Sequence, residues 1–323
     1  MILVTGGTGA MGRVLVEALI SRGHKVRVLT LRGDPNASRV EQYGAEVRYG
    51  DIGNRDDLNG ICEGVEVVYH LAAVIIAFDN AVYQRVNVDG TRYCVEEAQR
   101  AGVKHFVYVS SASVVYPKST QYSRSKQTAE RIVAHSNLNH TIVRPTLVYA
   151  RRGGQEFDLF LNYLRSFPIV PFIGNGRALK RPVHVDDIID GLLKLPGNAT
   201  AFGKTYNFSG GEAVGMIDFA RLCLRLMGME RKPILRIPVS VCMGLSAVAG
   251  VLLRRPPLRR PVIAGVTQDA NLDPAEAGQD LGYAPLGVRE KLPECFPREE
   301  REPEHGICNQ DSMTGAESEG SEQ

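Results

Sequence analysis

The chain opens Met-Ile-Leu-Val-Thr-Gly-Gly-Thr-Gly-Ala-Met-Gly, and Val14-Leu15-Val16-Glu17-Ala18-Leu19 follows at once with a helical pattern. Strand, glycine turn and helix in that order constrain the fold more than any other feature. Residues without β-carbons allow a tight turn and close approach of the backbone to a ligand, and the helix N-terminus offers N–H groups that lack intrahelical partners. A pyrophosphate fits such a place. Gly6, Thr8, Gly9, Ala10, Met11 and Gly12 are therefore the expected dinucleotide cradle, because the glycines stand in the strand–turn–helix context that the motif requires.

The rhythm continues. Met1–Thr5, Lys25–Leu31, Glu46–Tyr49, Val65–Leu71, Phe106–Ser110 and Thr141–Arg144 read as strands, most of them apolar throughout, as parallel strands covered on both faces are. Gly12–Arg22, Asp56–Cys62, Val88–Ala101 and Tyr122–Ser136 read as the helices between them. The alternation predicts an α/β fold with a doubly wound parallel Rossmann-type sheet over residues 1–147. From residue 148 to 293 Pro- and Gly-rich loops with interspersed helices predict a smaller C-terminal capping lobe, interleaved with a returning helix and strand at about 183–210. Residues 294–323 carry nine acids against two arginines and few large apolar side chains, so an acidic disordered tail is expected there.

Composition narrows the class. A 323-residue chain with 44% apolar and 23% charged residues can build a full core without disulfides or metal. The net charge is +2, and the tail's −7 leaves +9 on the remainder, which suits an anionic small ligand but not the basic excess of a nucleic-acid binder. Cys62, Cys94, Cys223, Cys242, Cys295 and Cys308 form no CxxC pair and no metal-like spacing, so reduced thiols, a cytoplasmic setting and no metal are expected. Ile237–Leu253 is uncharged over 17 residues and is followed by Arg254, Arg255, Arg259 and Arg260. Pro238, Gly244 and Gly250 read against a membrane span. Two readings stay open, a buried or capping helix and a peripheral membrane contact with a basic flank.

A second-strand carboxylate usually meets the adenosine ribose hydroxyls. Here Thr30 stands in that place with Arg32 just beyond, which favours a 2′-phosphate and hence NADP over NAD.

Further motifs follow in order: Gly50-Asp51-Ile52, His70-Leu71-Ala72-Ala73, Asn87-Val88-Asp89-Gly90-Thr91, Val109-Ser110-Ser111, Tyr122-Ser123-Arg124-Ser125-Lys126, Arg144-Pro145 and His184-Val185-Asp186-Asp187, ending with Asp280-Leu281-Gly282-Tyr283-Ala284-Pro285. Together with the glycine turn they resemble the extended and atypical short-chain dehydrogenases/reductases, the NAD-dependent epimerase/dehydratase family. The resemblance implies that Asp51 and Ile52 meet the adenine, that Leu71, Ala72 and Ala73 line the cofactor, and that Asn87 supports the nicotinamide side. His70 reads as a satisfied strand-end histidine.

Tyr122 and Lys126 stand four apart on a predicted helix and so share one face. A phenol is a poor base near neutrality, and a nearby ammonium together with the cofactor's cationic ring lowers its pKa. The resemblance makes Tyr122 the general acid/base, Lys126 its partner and a holder of the nicotinamide ribose, and Ser111 the residue that orients the substrate oxygen. Ser113 is the alternative serine. Only 11 residues separate Ser111 from Tyr122, and Leu147 follows Arg144 where the sugar-nucleotide branch usually has Asn.

The stretches 157–163, 171–176 and 181–186 resemble the branch containing the 39 kDa accessory subunit of respiratory complex I, whereas the apolar capping lobe leans toward the 3β-hydroxysteroid dehydrogenase branch. The leading expectation is an NAD(P)-dependent oxidoreductase, or an epimerase or dehydratase using the same first step. It would transfer a hydride between nicotinamide and a secondary alcohol or ketone, on a small-molecule, lipid-like substrate. The alternative is an NADPH-holding structural or assembly protein without turnover. The family's habit of dimerising through first-domain helices points to Val88–Ala101 and Tyr122–Ser136 for a homodimer.

Overall fold

The computed structural model describes residues 1–77, 79–151, 155–244 and 265–296. Six strands, β1 (Ile2–Thr5), β2 (Val26–Thr30), β3 (Glu46–Tyr49), β4 (Val67–His70), β5 (His105–Val109) and β6 (His140–Pro145), alternate with helices. Beyond them lie the short strands β7 (Val148–Tyr149), β8 (Val170–Ile173), β9 (Leu179–Lys180) and β10 (Val183–His184). They are followed by β11 (Lys204–Phe208), β12 (Val214–Gly215) and β13 (Ile234–Ile237). The main sheet runs β3-β2-β1-β4-β5-β6-β11 and every pairing in it is parallel. This is the doubly wound Rossmann-type sheet that the alternation predicts.

The helices are α1 (Ala10–Ser21), α2 (Ala37–Gln42), α3 (Asn80–Val82), α4 (Gly90–Arg100) and α5 (Gln121–Ala134). Past β6 come α6 (Gln155–Ser166), α7 (Val185–Leu193), α8 (Met216–Leu226), α9 (Ala275–Leu281) and α10 (Val288–Lys291). Strand periodicity decides which side chains meet which helices. Val4, Val28, Tyr69, Val107 and Val143 point to one face, where α1 and α7 cover them with Leu15, Val16, Leu19, Ile188 and Leu192. Leu3, Leu29, Val68, Phe106, Tyr108 and Ile142 point to the other, beneath Cys94, Val95 and Ala98 of α4 and Ala129 and Val133 of α5. The Tyr69 hydroxyl ties sheet to helix by donating to the Leu192 carbonyl at 2.8 Å.

Two local expectations differ from the structure. Asp56–Cys62 is a single 3₁₀ turn, Asp56–Leu58, because the chain leaves helical geometry at Asn59 (ψ 120°) and Gly60 takes φ +74°. Val88 and Asp89, expected to open the helix Val88–Ala101, instead end a π-helical stretch, Tyr83–Asp89, that runs into α4. Such stretches put side chains off the ordinary helical stagger and recur at functional sites.

A third apolar cluster joins α6, β8, α8 and α10 through Phe157, Leu161, Val170, Phe172 and Phe219. Phe160 stacks on Phe219 with ring centroids 5.6 Å apart. These residues form the lobe's own core, whereas Phe167 and Ile169 stay exposed. Among the described residues no helix is long and apolar enough to cross a membrane. Residues 245–253 of the apolar run and 297–323 of the acidic tail lie outside the described residues.

Gly191 of α7 supplies a test of this packing. A β-carbon there would lie 2.5 Å from the Phe208 ring, which is itself stacked on Tyr283 at 4.5 Å. Helix propensity alone would make Gly191→Ala stabilising by up to about 1 kcal/mol. Overpacking reverses the sign, and the variant is expected to lose about 1–3 kcal/mol in urea unfolding.

Candidate active site

The chain leaves β1 toward β2 on one side, and β4 flanks β1 on the other, so a crevice opens at the carboxyl ends of the strands. The glycine turn sits in it. Gly6 takes φ +72°, a region that favours glycine, and a β-carbon on it would lie 2.7 Å from the Ala72 amide nitrogen. A β-carbon on Gly12 would lie 2.1 Å from the Gly6 carbonyl oxygen. Gly9 is exposed and caps α1 without a side-chain hydrogen bond, and no acid stands in the first turn. The Ala10–Gly12 N–H groups and the positive end of the α1 dipole therefore face the crevice with room for an anion. Leu71–Ala73 abut this turn, and the Ala72 amide donates to Thr5 Oγ1 at 3.3 Å.

An open pocket of about 430 Å³ lies beside the turn, lined by Thr8, Gly9, Leu31, Arg32, Asp34 and Asn36. Sequence reasoning missed Asp34. Its Oδ2 accepts both the Thr8 hydroxyl (2.8 Å) and the Thr30 hydroxyl (2.9 Å), and its Oδ1 accepts the Asn36 amide (2.8 Å). Burial pushes this carboxyl up, but those hydrogen bonds and Arg13 outweigh it and hold the pKa below the ordinary value. Arg32 is exposed at the pocket. Asp51, at the end of β3, accepts Gly53 N–H (2.8 Å) and Arg85 (2.5 Å), and these hold its carboxyl low against burial. Ile52 is buried against Gly90.

A buried polar path leads from the turn to α5. Thr91 donates its only hydroxyl proton to the Asn87 carbonyl (2.7 Å), so His70 Nε2–H donates to Thr91 (2.9 Å) and His70 Nδ1 accepts from Thr5 (2.6 Å). Burial, then the Lys126 charge, holds His70 down to about 3. It is a neutral core histidine with both nitrogens engaged. Asn87 spends its side chain on the loop after β4 and on α5. Its Oδ1 accepts Val74 N–H (2.8 Å), and its Nδ2 donates to Val74 O (3.0 Å) and Ser125 Oγ (2.9 Å).

Thr120 and Ser123 form a capping box that starts α5 one residue before Tyr122. The Ser111 hydroxyl lies close enough to the Tyr122 phenol to pull its pKa down. Ser113 reaches Ser111 instead, Oγ to Oγ at 2.9 Å. Lys126, one turn on, is buried, donates to the Val109 carbonyl at 2.8 Å and lies 4.2 Å from the Tyr108 ring centroid. Burial lowers its pKa to about 7, against the pull of Glu130. Burial raises Tyr122, the Glu156 carboxylate adds to that, and only Ser111 pulls the other way.

Glu156, like Asp34, had no sequence signal, because α6 of the other lobe carries it to the cleft. Water reaches its carboxylate, yet the surrounding protein raises its pKa against the pull of Lys180. Lys180 is spent on the carbonyls of Gly265 (2.9 Å) and Gln268 (2.5 Å), and Arg181 on Asn271, Gly210 and Gly211. Among the described residues no group of three His, Cys, Asp or Glu side chains could hold a metal.

The sequence model of the NAD dependent epimerase/dehydratase family matches residues 2–208. The chain is 28% identical to a 3-beta-hydroxysteroid dehydrogenase of Mycolicibacterium neoaurum, over 92% of this chain and 90% of that one. It is 30% identical to a 3 beta-hydroxysteroid dehydrogenase/Delta 5→4-isomerase of Mycobacterium tuberculosis, over 92% and 89%. The solved structure of dTDP-glucose 4,6-dehydratase from Streptomyces venezuelae with NAD bound superposes with a TM-score of 0.74 at 21% identity, covering 91% of this chain and 95% of that one, and so shares the fold. The chain belongs to the NAD dependent epimerase/dehydratase family and is an enzyme of the extended short-chain dehydrogenase/reductase type.

The buried Lys126 gives a pH prediction. Its folded pKa is about 7, below the unfolded value near 10.4, so the unfolded chain binds more protons between those pH values. The lysine's cost to stability is full below pH 7 and fades as pH rises toward 10. Lys126→Met is therefore expected to raise the urea midpoint at pH 6.5 and to gain progressively less at pH 8 and pH 9.5. A gain that does not shrink with pH would overturn the assignment.

Proposed function

We propose that this protein is an NAD(P)-dependent oxidoreductase acting on a secondary alcohol or ketone of lipid-like character. The observation that carries this reading is the grouping of Ser111, at the carboxyl end of β5, with Tyr122 at the start of α5 and Lys126 one turn along it, with the glycine turn in the same crevice. When bound, the dinucleotide supplies the two-electron chemistry, and Gly6, Gly9–Gly12, Leu71–Ala73, Asp51 and Ile52 would hold it. Tyr122 carries the proton at its phenol oxygen, to or from the substrate oxygen. Ser111 orients that oxygen through its hydroxyl. Lys126, poised near neutral pH, stabilises the phenolate form by its charge.

The large apolar residues of the 148–293 segment, Phe157, Leu161, Val170 and Phe172 among them, are core. Ile75 and Ile76, in the loop after Ala73, and Val115, four residues past Ser111, are instead exposed. These support an apolar substrate, as do the steroid names of the two relatives. Arg32, exposed at the open pocket, supports NADP over NAD. The free buried thiols Cys62, Cys94, Cys223, Cys242 and Cys295 suit a cytoplasmic setting. The family resemblance supports a homodimer through α4 and α5.

Tyr122→Phe is expected to keep dinucleotide affinity and lose about 10²- to 10⁴-fold in turnover with a steroid-like alcohol. Full retention of turnover would remove Tyr122 from the mechanism. In a fluorescence titration wild-type protein should bind NADPH more tightly than NADH, and Arg32→Ala should erase that difference without weakening NADH.

A further inference from the structure

We propose that Tyr83 is a positioning residue for substrate, holding the loop at 74–77 so that Ile75 and Ile76 form an apolar wall beside Tyr122. The inference rests on the reaction proposed above and names what selects the hydrocarbon part of its substrate. Tyr83 opens the π-helical stretch and is buried. Its ring tilts against that of Tyr122, with centroids 6.4 Å apart and planes at 55°. Its hydroxyl reaches the loop after β4, donating to the Ile75 carbonyl at 3.1 Å and accepting the Ala77 N–H at 2.9 Å. One side chain thus joins the neighbourhood of the Tyr122 phenol to this loop.

Asn87, four residues further along the same π-helical stretch, takes the N–H and the carbonyl of Val74. Two side chains therefore make four hydrogen bonds to Val74, Ile75 and Ala77, and Ile76 is held between two tethered neighbours. Fixing a loop costs conformational entropy, which folding ordinarily offsets by burying apolar side chains. Here the aliphatic side chains at the middle of the loop are left open. Ile75 and Ile76 belong to none of the three apolar clusters and remain 37% and 46% exposed. A firmly held loop with adjacent open isoleucines is built to present them to an apolar ligand. Tyr122, half-buried, lies one tyrosine ring away. A substrate whose oxygen meets the Tyr122 phenol would lay the hydrocarbon next to its reacting carbon against Ile75 and Ile76.

The test is Tyr83→Phe in the full chain, which keeps the ring and removes both of its hydrogen bonds to the loop. Amide exchange over 74–77, read by mass spectrometry, should quicken about three- to tenfold, while β5 exchanges as in wild type and shows that the variant is folded. With a 3-hydroxysteroid as probe, KM should rise by a similar factor and kcat should change less than about twofold, because the wall binds ground state and transition state alike. Ile76→Ala should raise KM in the same way, and the double variant should add little to either single change, since both act through one wall. Unchanged exchange, an unchanged KM, a loss confined to kcat or strictly additive losses would overturn the proposal. A wild-type chain that turns over no secondary alcohol would instead overturn the reaction. Equilibrium binding of the same steroid then judges Tyr83 by itself: weakening in Tyr83→Phe upholds its role, and unchanged affinity overturns it.

Discussion

The close packing of the first turn against itself is the constraint on which the remainder rests. With only hydrogens at Gly6 and Gly12, α1 comes down onto the turn closely enough that a β-carbon at Gly12 would sit 2.1 Å from a carbonyl oxygen. That contact sets where the N-terminus of α1 points. It also brings Gly6 against Ala72, so the loops after β1 and β4 become the two walls of one crevice. A larger residue at either glycine would move helix and loop together.

From that turn a line of buried hydrogen bonds runs to α5. Thr5 meets His70, His70 meets Thr91, Thr91 meets the Asn87 carbonyl, and the Asn87 amide meets Ser125, whose hydroxyl donates back to the Tyr122 carbonyl at 2.7 Å. Each member is satisfied by the next, as burial demands. Two strands, β1 and β4, and two helices, α4 and α5, are thereby held in register, and buried groups position Tyr122 relative to the crevice at the glycine turn. Burial also explains the electrostatics. Tyr122 and Lys126 are both pushed toward their neutral forms, the phenol upward and the lysine down to about 7.

The second lobe contributes differently. Its core is made by Phe157, Leu161, Val170, Phe172 and Phe219. Lys180 and Arg181 spend their hydrogen bonds on carbonyls and an amide of neighbouring loops, so they brace the lobe at 265–271 and at 210–211. Glu156 is what this lobe adds to the cleft, from the first turn of α6.

The alternation of apolar runs and helical stretches, and the glycines between the first pair, determined the parallel sheet, the turn and the shared face of Tyr122 and Lys126. These are legible because they depend on neighbours in sequence: strand period, helix period and the absence of a β-carbon. The end of the predicted Asp56–Cys62 helix and the π-helical Tyr83–Asp89 were not legible, since local propensity there yields to packing against α4 and α5. Asp34, Glu156 and the engagement of Asn87 were decided only by the tertiary structure. A hydrogen bond from Thr8 to Asp34, or the charge of Glu156 on α6 acting on Tyr122, joins residues far apart in the chain, and no periodicity records such a pairing.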